Sequence, residues 1–395
     1  MTRKLPEPTV VPTVVPTVVP TVVPPRHQPL LSRRQAVVSG GAAVTGAALL
    51  AAPALAQTAT RTLRMATSWP PNLGGLADSA ARVARTITAA SEGRLTVDIY
   101  HPGELVGPFD VHDAVGAGDI DMYHSAEYYF QDKHRGLNFF TTVPLGLTSV
   151  EQDAWLKFGG GQELWDELNA GFGIRAMGSG GTGIQMGGWF NKEITRIEDF
   201  QGLTMRMPGL GAQVIAALGA NAVSLPGGGI VDALFDGSID ATEWVGPYND
   251  LQFGFQKLLT NYIYPGFHEP ATMASVGFNL EVWNSLSVAD QGLVFGVLDA
   301  ELTSHTADYY GNNGLALLQM LNESGTRPTR LPDAVWNELA RVSFEVTASV
   351  AQDDEMGRRI VESYDAYRAL VGSAEPISQA QYLSRRGATD LFANT

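Results

Sequence analysis

The sequence contains no cysteine among its 395 residues. This absence excludes disulfide scaffolds, zinc fingers, iron–sulfur proteins and enzymes with a cysteine nucleophile, because each needs a sulfur ligand, a disulfide or a thiolate. Basic residues are also few: 26 lysines and arginines stand against 41 acidic residues, giving a formal net charge of −15. Because binding to a phosphate backbone needs a positively charged surface, no nucleic-acid partner is expected.

Long apolar runs are missing beyond the first 56 residues, and no later stretch approaches the length of a membrane span. Apolar residues make up 45% of the sequence and charged residues 17%, as in a globular protein with relatively few surface charges. A chain of 395 residues has room for two or three globular units. We therefore expect a soluble mature protein with more than one lobe.

The first 56 residues are predicted to be a leader. Residues 8–25 repeat the unit TVVP, whose prolines block regular hydrogen bonding; the role of this repeat and the true translation start are left open. Paired arginines at 33–34 precede a weakly apolar run, 36–52, and an Ala-x-Ala site at 54–56. This order predicts a twin-arginine signal peptide, cleavage near Ala56 and export to a bacterial periplasm. The run is too short and too rich in small polar residues to favour a membrane anchor.

After the leader, strand and helix patterns alternate. Residues 63–67 and 95–100 have strand character, and the apolar spacing of residues 76–90 predicts an amphipathic helix between them. Strand, helix and strand in this order predict an α/β unit built on a parallel sheet.

An internal repeat indicates two lobes of similar build. Residues 111–122 (VHDAVGAGDIDM) and 230–241 (IVDALFDGSIDA) share five identical positions, and each copy predicts a short helix, a glycine turn and a strand. Aromatic residues follow both copies, at 128–129 and 244–248. Because ligands of open α/β sheets bind beyond the carboxyl ends of the strands, we expect both copies to face one shared cleft.

A very long helix is predicted from Ser287 to about residue 324, with Ser287 as its N-cap and Asp290 three residues further on. Its glycines weaken the pattern. Shorter helices are predicted over 333–352 and 353–371. The fold class is thus predicted to be α/β, a two-lobe fold like that of periplasmic binding proteins, with the long helix bracing both lobes.

Glycine-rich residues 178–183 match G-x-G-x-x-G, but residues 184–186 have strand character and do not start a helix. We therefore expect a hinge or a close backbone approach in place of a phosphate-binding loop. The predicted lobes meet at this point. Lobe I takes 57–183 plus about 270–310, lobe II takes 184–269 plus about 311–372, and 373–395 form a C-terminal segment.

Polar residues in charge-poor surroundings form the candidate site. Arg206 lies in a strand-like run, 204–209, that is otherwise free of charge, and an isolated guanidinium at a strand end suits bidentate binding of a carboxylate. Gln185 is placed on a second charge-poor strand, and Glu243 and Glu269 flank aromatic and proline-containing backbone. The alternative is an ion pair between Arg206 and one of these glutamates without any ligand.

Several segments carry a resemblance to a known family: 66–70, 183–190, 205–209, 243–248 and 266–270. On them, the chain from about residue 62 to 372 resembles the solute receptors of tripartite ATP-independent periplasmic (TRAP) transporters, the DctP-type family. The EWVGPY run at 243–248 is similar to that of the subgroup that binds 2-oxo acids together with a metal ion. The resemblance implies a receptor that closes on a small carboxylate by a hinge motion and delivers it to TRAP membrane permease subunits.

The resemblance also implies roles for single residues. Arg206 binds the substrate carboxylate, and Gln185 contacts the substrate and the metal. Glu243, the Trp244 backbone carbonyl and Glu269 hold a sodium or calcium ion, which chelates the carboxylate and 2-oxo oxygens of the ligand. These oxygen ligands are the kind that hard cations take.

Two aromatic residues are weaker candidates for the pocket wall, Trp69 and Tyr129, with Tyr128 as the alternative to Tyr129; plain core positions are the competing interpretation. The histidines show no metal-ligand spacing, and His112 and His268 are expected to be exposed or ordinary core residues.

The ligand class expected first is a 2-oxo monocarboxylate such as pyruvate. Lactate-like 2-hydroxy acids, sugar-derived acids and a sensory role remain open. A periplasmic metal-assisted enzyme acting on a 2-oxo acid is the rival, but the sequence offers no general base beyond the two glutamates, so we predict that the protein is not an enzyme. In the subgroup, C-terminal helices can exchange between partners, which makes a homodimer an open expectation.

Overall fold

The computed structural model describes residues 60–389. The predicted leader, with its TVVP repeat, signal peptide and cleavage position, lies outside these residues, as do residues 390–395. Within 60–389, no helix combines the length and the apolar character needed to cross a bilayer.

The described elements are numbered in chain order. The strands are β1 (Arg61–Thr67), β2 (Leu95–Tyr100), β3 (Met122–Ser125), β4 (Ile174–Gly181), β5 (Gly188–Phe190), β6 (Thr204–Arg206), β7 (Asn221–Val223), β8 (Ala241–Thr242), β9 (Asn261–Tyr264), β10 (Met273–Asn279) and β11 (Pro328–Arg330). The α-helices are α1 (Leu76–Ala90), α2 (Val111–Gly116), α3 (Ser149–Phe158), α4 (Gly161–Ala170), α5 (Gly209–Ala217), α6 (Gly227–Phe235), α7 (Pro247–Phe253), α8 (Leu280–Ser285), α9 (Val288–Gln319), α10 (Asp333–Ser349), α11 (Glu355–Gly372) and α12 (Gln379–Thr389).

The first sheet has the strand order β2-β1-β3-β10-β4. β1 pairs in parallel with β2 and β3, and β10 runs antiparallel to β3 and β4. The apolar stripe of α1 is buried, including Leu76, Ala80, Val83 and Ile87, as the spacing predicts. The parallel unit β1-α1-β2 is therefore confirmed.

The second sheet has the order β11-β9-β5-β8-β6-β7. β6 is parallel to both of its neighbours, β7 and β8, and β5 is antiparallel to β8 and β9. Because β6 and β8 are parallel and adjacent, their carboxyl ends lie side by side. Arg206 ends β6 and Glu243 directly follows β8, so the sheet itself brings these two residues together.

The internal repeat places one copy in each sheet. The first copy forms α2, a turn at Gly118 and β3, and the second forms α6, a turn at Gly237 and β8. Both turn glycines have positive φ, 83° and 76°, a conformation that favours glycine. β3 pairs in parallel with β1, which Trp69 follows, and β8 pairs in parallel with β6, which ends at Arg206. The helix, glycine turn and strand predicted for each copy are therefore confirmed.

The long helix α9 packs against α1 and β4 of the first sheet's layer and against α7, which follows β8. Its N-cap is Ser287, whose side chain accepts a hydrogen bond from the backbone N–H of Asp290, as predicted. Gly296, Gly311 and Gly314 lie where an added Cβ would meet open space, so no close contact requires glycine there, and the helix forms in spite of their low helix propensity. α9 therefore contacts elements of both sheets.

The strand predicted at 184–186 is wrong. The backbone N–H groups of Gln185, Met186 and Gly187 donate to three different segments, at Glu269 (3.1 Å), Val245 (3.0 Å) and Ile263 (2.7 Å). An extended segment whose bonds are divided in this way forms no regular ladder. Gln185 thus lies in a loop between β4 and β5.

The C-terminal helices divide between the two layers. α10 packs on α5 of the second sheet's layer, whereas α11 packs on α3 and α4 of the first. Ile360 and Tyr364 of α11 belong to the same buried cluster as Phe139 and Trp155. The lobe boundaries stay a proposal. The sequence analysis assigned α11 to lobe II, and we now assign it to lobe I because of this packing.

Candidate functional site

Four of the predicted site residues converge in the interior, each placed by a different element. Arg206 comes from the end of β6, Glu243 from the end of β8, Gln185 from the loop after β4, and Glu269 from the loop between β9 and β10. All four are at most 3% exposed. Burying so many polar groups together is unfavourable unless they pair with one another or bind a ligand or ion. Their individual contacts show which polar atoms are available for such binding.

The guanidinium of Arg206 is only partly used by the protein. Its Nε donates to the Leu225 carbonyl (3.0 Å), and its Nη1 donates to the Glu243 carbonyl (3.0 Å) and to the Glu243 carboxylate. The side-chain carbon Cζ lies 5.0 Å from the centre of the Trp244 ring. Nη2 is buried and has no hydrogen-bond partner among the described residues. The alternative of an ion pair with a glutamate is thus present through Nη1, while Nη2 is left for a ligand.

Glu243, His268 and Glu269 form a buried cluster. Each offers one ligand atom, and these atoms lie within 4.8 Å of one another. The Nε2 of His268 is 3.2 Å from the second carboxylate oxygen of Glu243. Sequence reasoning missed His268 as a site residue; its position next to Glu269 and between two prolines, 265 and 270, was the signal that could have found it.

The side-chain oxygen of Gln185 accepts no hydrogen bond from the residues that the structure describes. Its Nε2 donates to Glu269 (2.8 Å) and to Thr272 Oγ1 (2.5 Å). These bonds fix the amide so that Oε1 has no hydrogen-bond donor within the described part of the chain, although it is buried. A buried orphan carbonyl oxygen next to carboxylates suits a cation or a ligand N–H or O–H group.

The electrostatics of the cluster are dominated by burial and by the two close carboxylates. Burial, followed by the charge of Glu243, raises the pKa of Glu269 to about 7. Burial alone would lower the pKa of His268, but the hydrogen bond and charge of Glu243 outweigh it, and this pKa is raised. A bound cation would relieve the repulsion between the carboxylates, so the donor set fits a hard cation of the sodium or calcium type.

A narrow cavity of about 10 Å³ adjoins these groups. Both candidate tyrosines reach it, and so does Trp69, whose ring centre lies 6.5 Å from that of Trp244. The cavity is lined by Trp69, Leu76, Tyr128, Tyr129, Thr182, Gln185, Trp244, Val245 and Thr272. Aromatic and aliphatic side chains on one side and polar groups on the other are typical of a site for a small polar ligand with a short apolar part.

The sequence profile of the DctP family, bacterial extracellular solute-binding protein family 7, matches residues 66–353. The chain belongs to this family. Membership confirms the predicted family and makes the protein a solute receptor that works outside the cytoplasm. The predicted two-lobe α/β fold is likewise confirmed by solved structures of the family.

A curated relative is the monocarboxylate 2-oxoacid-binding periplasmic protein all3028 of Nostoc sp. It is 38% identical over 320 residues, which cover 81% of this chain and 87% of the relative. A TRAP periplasmic solute binding protein from Pseudoalteromonas atlantica, solved with bound sodium and pyruvate, is 34% identical with a TM-score of 0.80. Another from Colwellia psychrerythraea, solved with bound calcium and pyruvate, is 33% identical with a TM-score of 0.80. Each comparison covers 82% of this chain and 99% of the solved chain.

Proposed function

We propose that the protein is the periplasmic receptor of a TRAP-type transporter and binds a small 2-oxo monocarboxylate of the pyruvate type together with a sodium or calcium ion. One observation carries the proposal: two atoms that have no partner within residues 60–389, Arg206 Nη2 and Gln185 Oε1, converge with two buried glutamates beside an aromatic-lined cavity. The relatives that bind pyruvate with these cations support it.

The chain's own residues take distinct roles in this proposal. Arg206 binds the ligand carboxylate through Nη2, because Nε is committed to Leu225 and Nη1 to Glu243. Gln185 Oε1, the two carboxylates Glu243 and Glu269 and the Trp244 backbone carbonyl hold the cation. When bound, the cation supplies a positive charge that neutralises the glutamates and accepts the carboxylate and 2-oxo oxygens of the ligand.

Competing ligand classes differ in size and in the oxygen-containing group on the carbon atom next to the carboxylate. A 2-hydroxy acid of the lactate type offers two oxygens in the same relation and is the second candidate. Sugar-derived acids are larger and carry several additional hydroxyl groups, so they fit less well in a narrow cavity that is walled in part by Trp69, Leu76 and Val245. We therefore rank 2-oxo acids first, 2-hydroxy acids second and sugar-derived acids last.

Export, transfer and assembly complete the proposal. The leader directs export by the twin-arginine pathway with cleavage near Ala56, and the closed receptor hands its ligand to the membrane permease subunits. A homodimer through the C-terminal helices is supported by the exposure of Ile377 and of two apolar residues of α12, Tyr382 and Leu383. An apolar helix face that is exposed in one chain is suited to cover a partner.

Thermal unfolding of ligand-free protein, prepared by unfolding, washing and refolding, tests the ligand class. With calcium present, pyruvate should raise the unfolding temperature more than lactate, and lactate more than gluconate, because a ligand that binds only the folded state stabilises it. Parallel incubations followed by proton NMR should show unchanged pyruvate. Appearance of a product would support the enzymatic alternative, and a larger shift with gluconate would contradict the ranking.

A further inference from the structure

Trp69 and Trp244 both line the cavity, but their indole N–H groups differ in hydrogen bonding. The Nε1 of Trp69 donates to His124 Nδ1 at 2.8 Å. The Nε1 of Trp244 is buried and has no hydrogen-bond acceptor among residues 60–389, although only 5% of the residue is exposed. A buried N–H without an acceptor is unfavourable, so the Trp244 donor is available to a ligand.

The indole of Trp244 is fixed by its surroundings. Its six-membered ring lies on Gly227 of α6, where an added Cβ would stand 2.6 Å from the ring atom Cη2. Phe253 contacts it edge-on with the ring centres 5.3 Å apart, and the Arg206 guanidinium lies 5.0 Å from the ring centre. Because these neighbours restrict the ring, Nε1 is a pre-oriented donor on a ring that lies against the Arg206 guanidinium.

We propose that the Trp244 indole N–H donates a hydrogen bond to the ligand carboxylate, next to Arg206. This inference rests on the proposed function and deepens it, because it gives Trp244 a side-chain role in addition to its backbone carbonyl. A carboxylate can accept from both donors, since it carries two oxygens and no hydrogen. An amide of the same shape replaces one oxygen by an NH2 group, which would oppose these donors. Trp244 therefore selects acids over their amides.

An isosteric replacement isolates this one hydrogen bond. In Trp244→3-benzothienylalanine, sulfur replaces the indole N–H and the ring shape is kept. The Kd for pyruvate, measured by calorimetry with calcium present, should rise about tenfold or more, because hydrogen bonds to charged groups are the strong ones. The stability of the ligand-free protein should not fall, because that N–H has no partner within residues 60–389 to lose and is unfavourable where it is.

Trp189 provides the matched control. Its Nε1 donates to Asp250 at 3.0 Å, and it does not line the cavity. The same replacement at Trp189 should lower the unfolding temperature and leave the Kd for pyruvate unchanged, which is the opposite pattern. A purely structural role of Trp244 predicts a loss of stability at position 244 as well.

Indole resonances give a direct readout. The protein has seven tryptophans, and the Trp244 signal in a spectrum of 15N-labelled indoles is assigned by its loss in Trp244→Phe. Pyruvate with calcium should move this signal downfield and slow its exchange with water, whereas pyruvamide should not. If pyruvate binds and neither the signal nor the Kd of the isostere changes, the Trp244 assignment is overturned. If wild-type protein binds no pyruvate, the proposed function fails and this assignment with it.

Discussion

At the scale of single residues, the Arg206 guanidinium has two functions, one in pairing with the protein and one in the proposed binding of the ligand. Different nitrogen atoms serve each function. Nη1 pairs with Glu243 and Nε with the Leu225 carbonyl, and Nη2 is left without a partner in the described chain. Removing the whole side chain would leave the Glu243 charge buried and short of a partner, at a cost of about 3–5 kcal/mol. Truncation to alanine therefore mixes lost binding with lost stability, and a charge-conserving change separates them.

Arg206→Lys should keep a positive charge near Glu243 but remove the guanidinium fork. We expect the Kd for pyruvate to rise at least about tenfold, because an ammonium cannot serve Glu243 and the ligand with parallel hydrogen bonds. Calorimetry gives the Kd, and circular dichroism checks the fold. Arg359→Lys, which alters an exposed pair with Glu167, is the control. Equal affinity in both variants would remove Arg206 from the carboxylate site.

The sequence identified part of the site because its residues lie in short motifs. Arg206 stands out in a run without other charges, and Glu243 and Glu269 lie in proline- and aromatic-containing segments. His268 was missed because its contact with Glu243 joins β8 to the loop after β9, and no spacing in the sequence predicts that contact. Sequence also could not choose between Tyr128 and Tyr129, since both belong to one short 3-10 helical turn, Glu127–Phe130, and both line the cavity.

At the scale of elements, the glycines of β4 allow a close approach of the long helix α9. Gly180 has φ of 145° and faces His305 of α9 so closely that an added Cβ would overlap the imidazole. At Gly181, a Cβ would stand 2.5 Å from the hydroxyl oxygen of Ser149, which belongs to a second helix, α3. The G-x-G-x-x-G match therefore reflects packing of a strand against a helix, as the close-approach interpretation predicts, and no helix begins there.

Gly180→Ala should lower the free energy of unfolding by about 1–3 kcal/mol, because the new methyl group overpacks the contact with His305 and the φ value is unfavourable for alanine. Gly296→Ala within α9 is the matched control, since a Cβ there meets open space. This control should raise the free energy of unfolding by up to about 1 kcal/mol through helix propensity. Urea denaturation measures both values. Equal effects would show that Gly180 makes no close contact.

Elements with strong local patterns were predicted well, and those defined by distant partners were not. The strand–helix–strand unit at the start, the repeated α2 and α6 units and the N-cap of α9 all follow from local spacing. The segment around Gln185 is extended in sequence character, yet its hydrogen bonds go to three separate loops. The packing of α11 on the first layer also depends on contacts with Phe139 and Trp155 that no local pattern encodes.

At the scale of the whole molecule, the fold holds two buried histidines, His112 and His124, in their neutral form. Burial, and then the charge of Lys133, lowers the pKa of His112 to about 4. Burial, and then the charge of Arg82, lowers the pKa of His124 to about 3. Both values lie below the pKa of a histidine in the unfolded chain, about 6.5. The neutral histidines therefore contribute to the free energy of unfolding above that pH, and this contribution is lost as the pH falls.

His112→Phe should therefore flatten the acid side of the stability profile. Between pH 7 and pH 4.5, the free energy of unfolding of wild-type protein should fall more steeply than that of the variant, because His112 takes up a proton only in the unfolded chain over this window. Phenylalanine suits a site that packs on Phe130 and Phe172. Urea denaturation at several pH values gives both curves, and parallel curves would contradict the assignment.

Net charge also has a consequence at this scale. A chain with a net charge of −15 should repel an anionic ligand, yet the proposed ligand is a carboxylate. The site compensates locally, with one arginine and a donor set that fits a cation. Binding of the cation and binding of the acid should then be coupled, each raising the affinity for the other by the same factor.

Calorimetric titration of ligand-free protein with pyruvate tests this coupling most directly. The protein is first depleted of cations with a chelator in sodium-free buffer and then titrated in parallel with and without added calcium or sodium. We predict that pyruvate binds with one of these cations present and that the affinity falls at least about tenfold without them. An affinity that is the same in the depleted protein would contradict a cation-coupled carboxylate site.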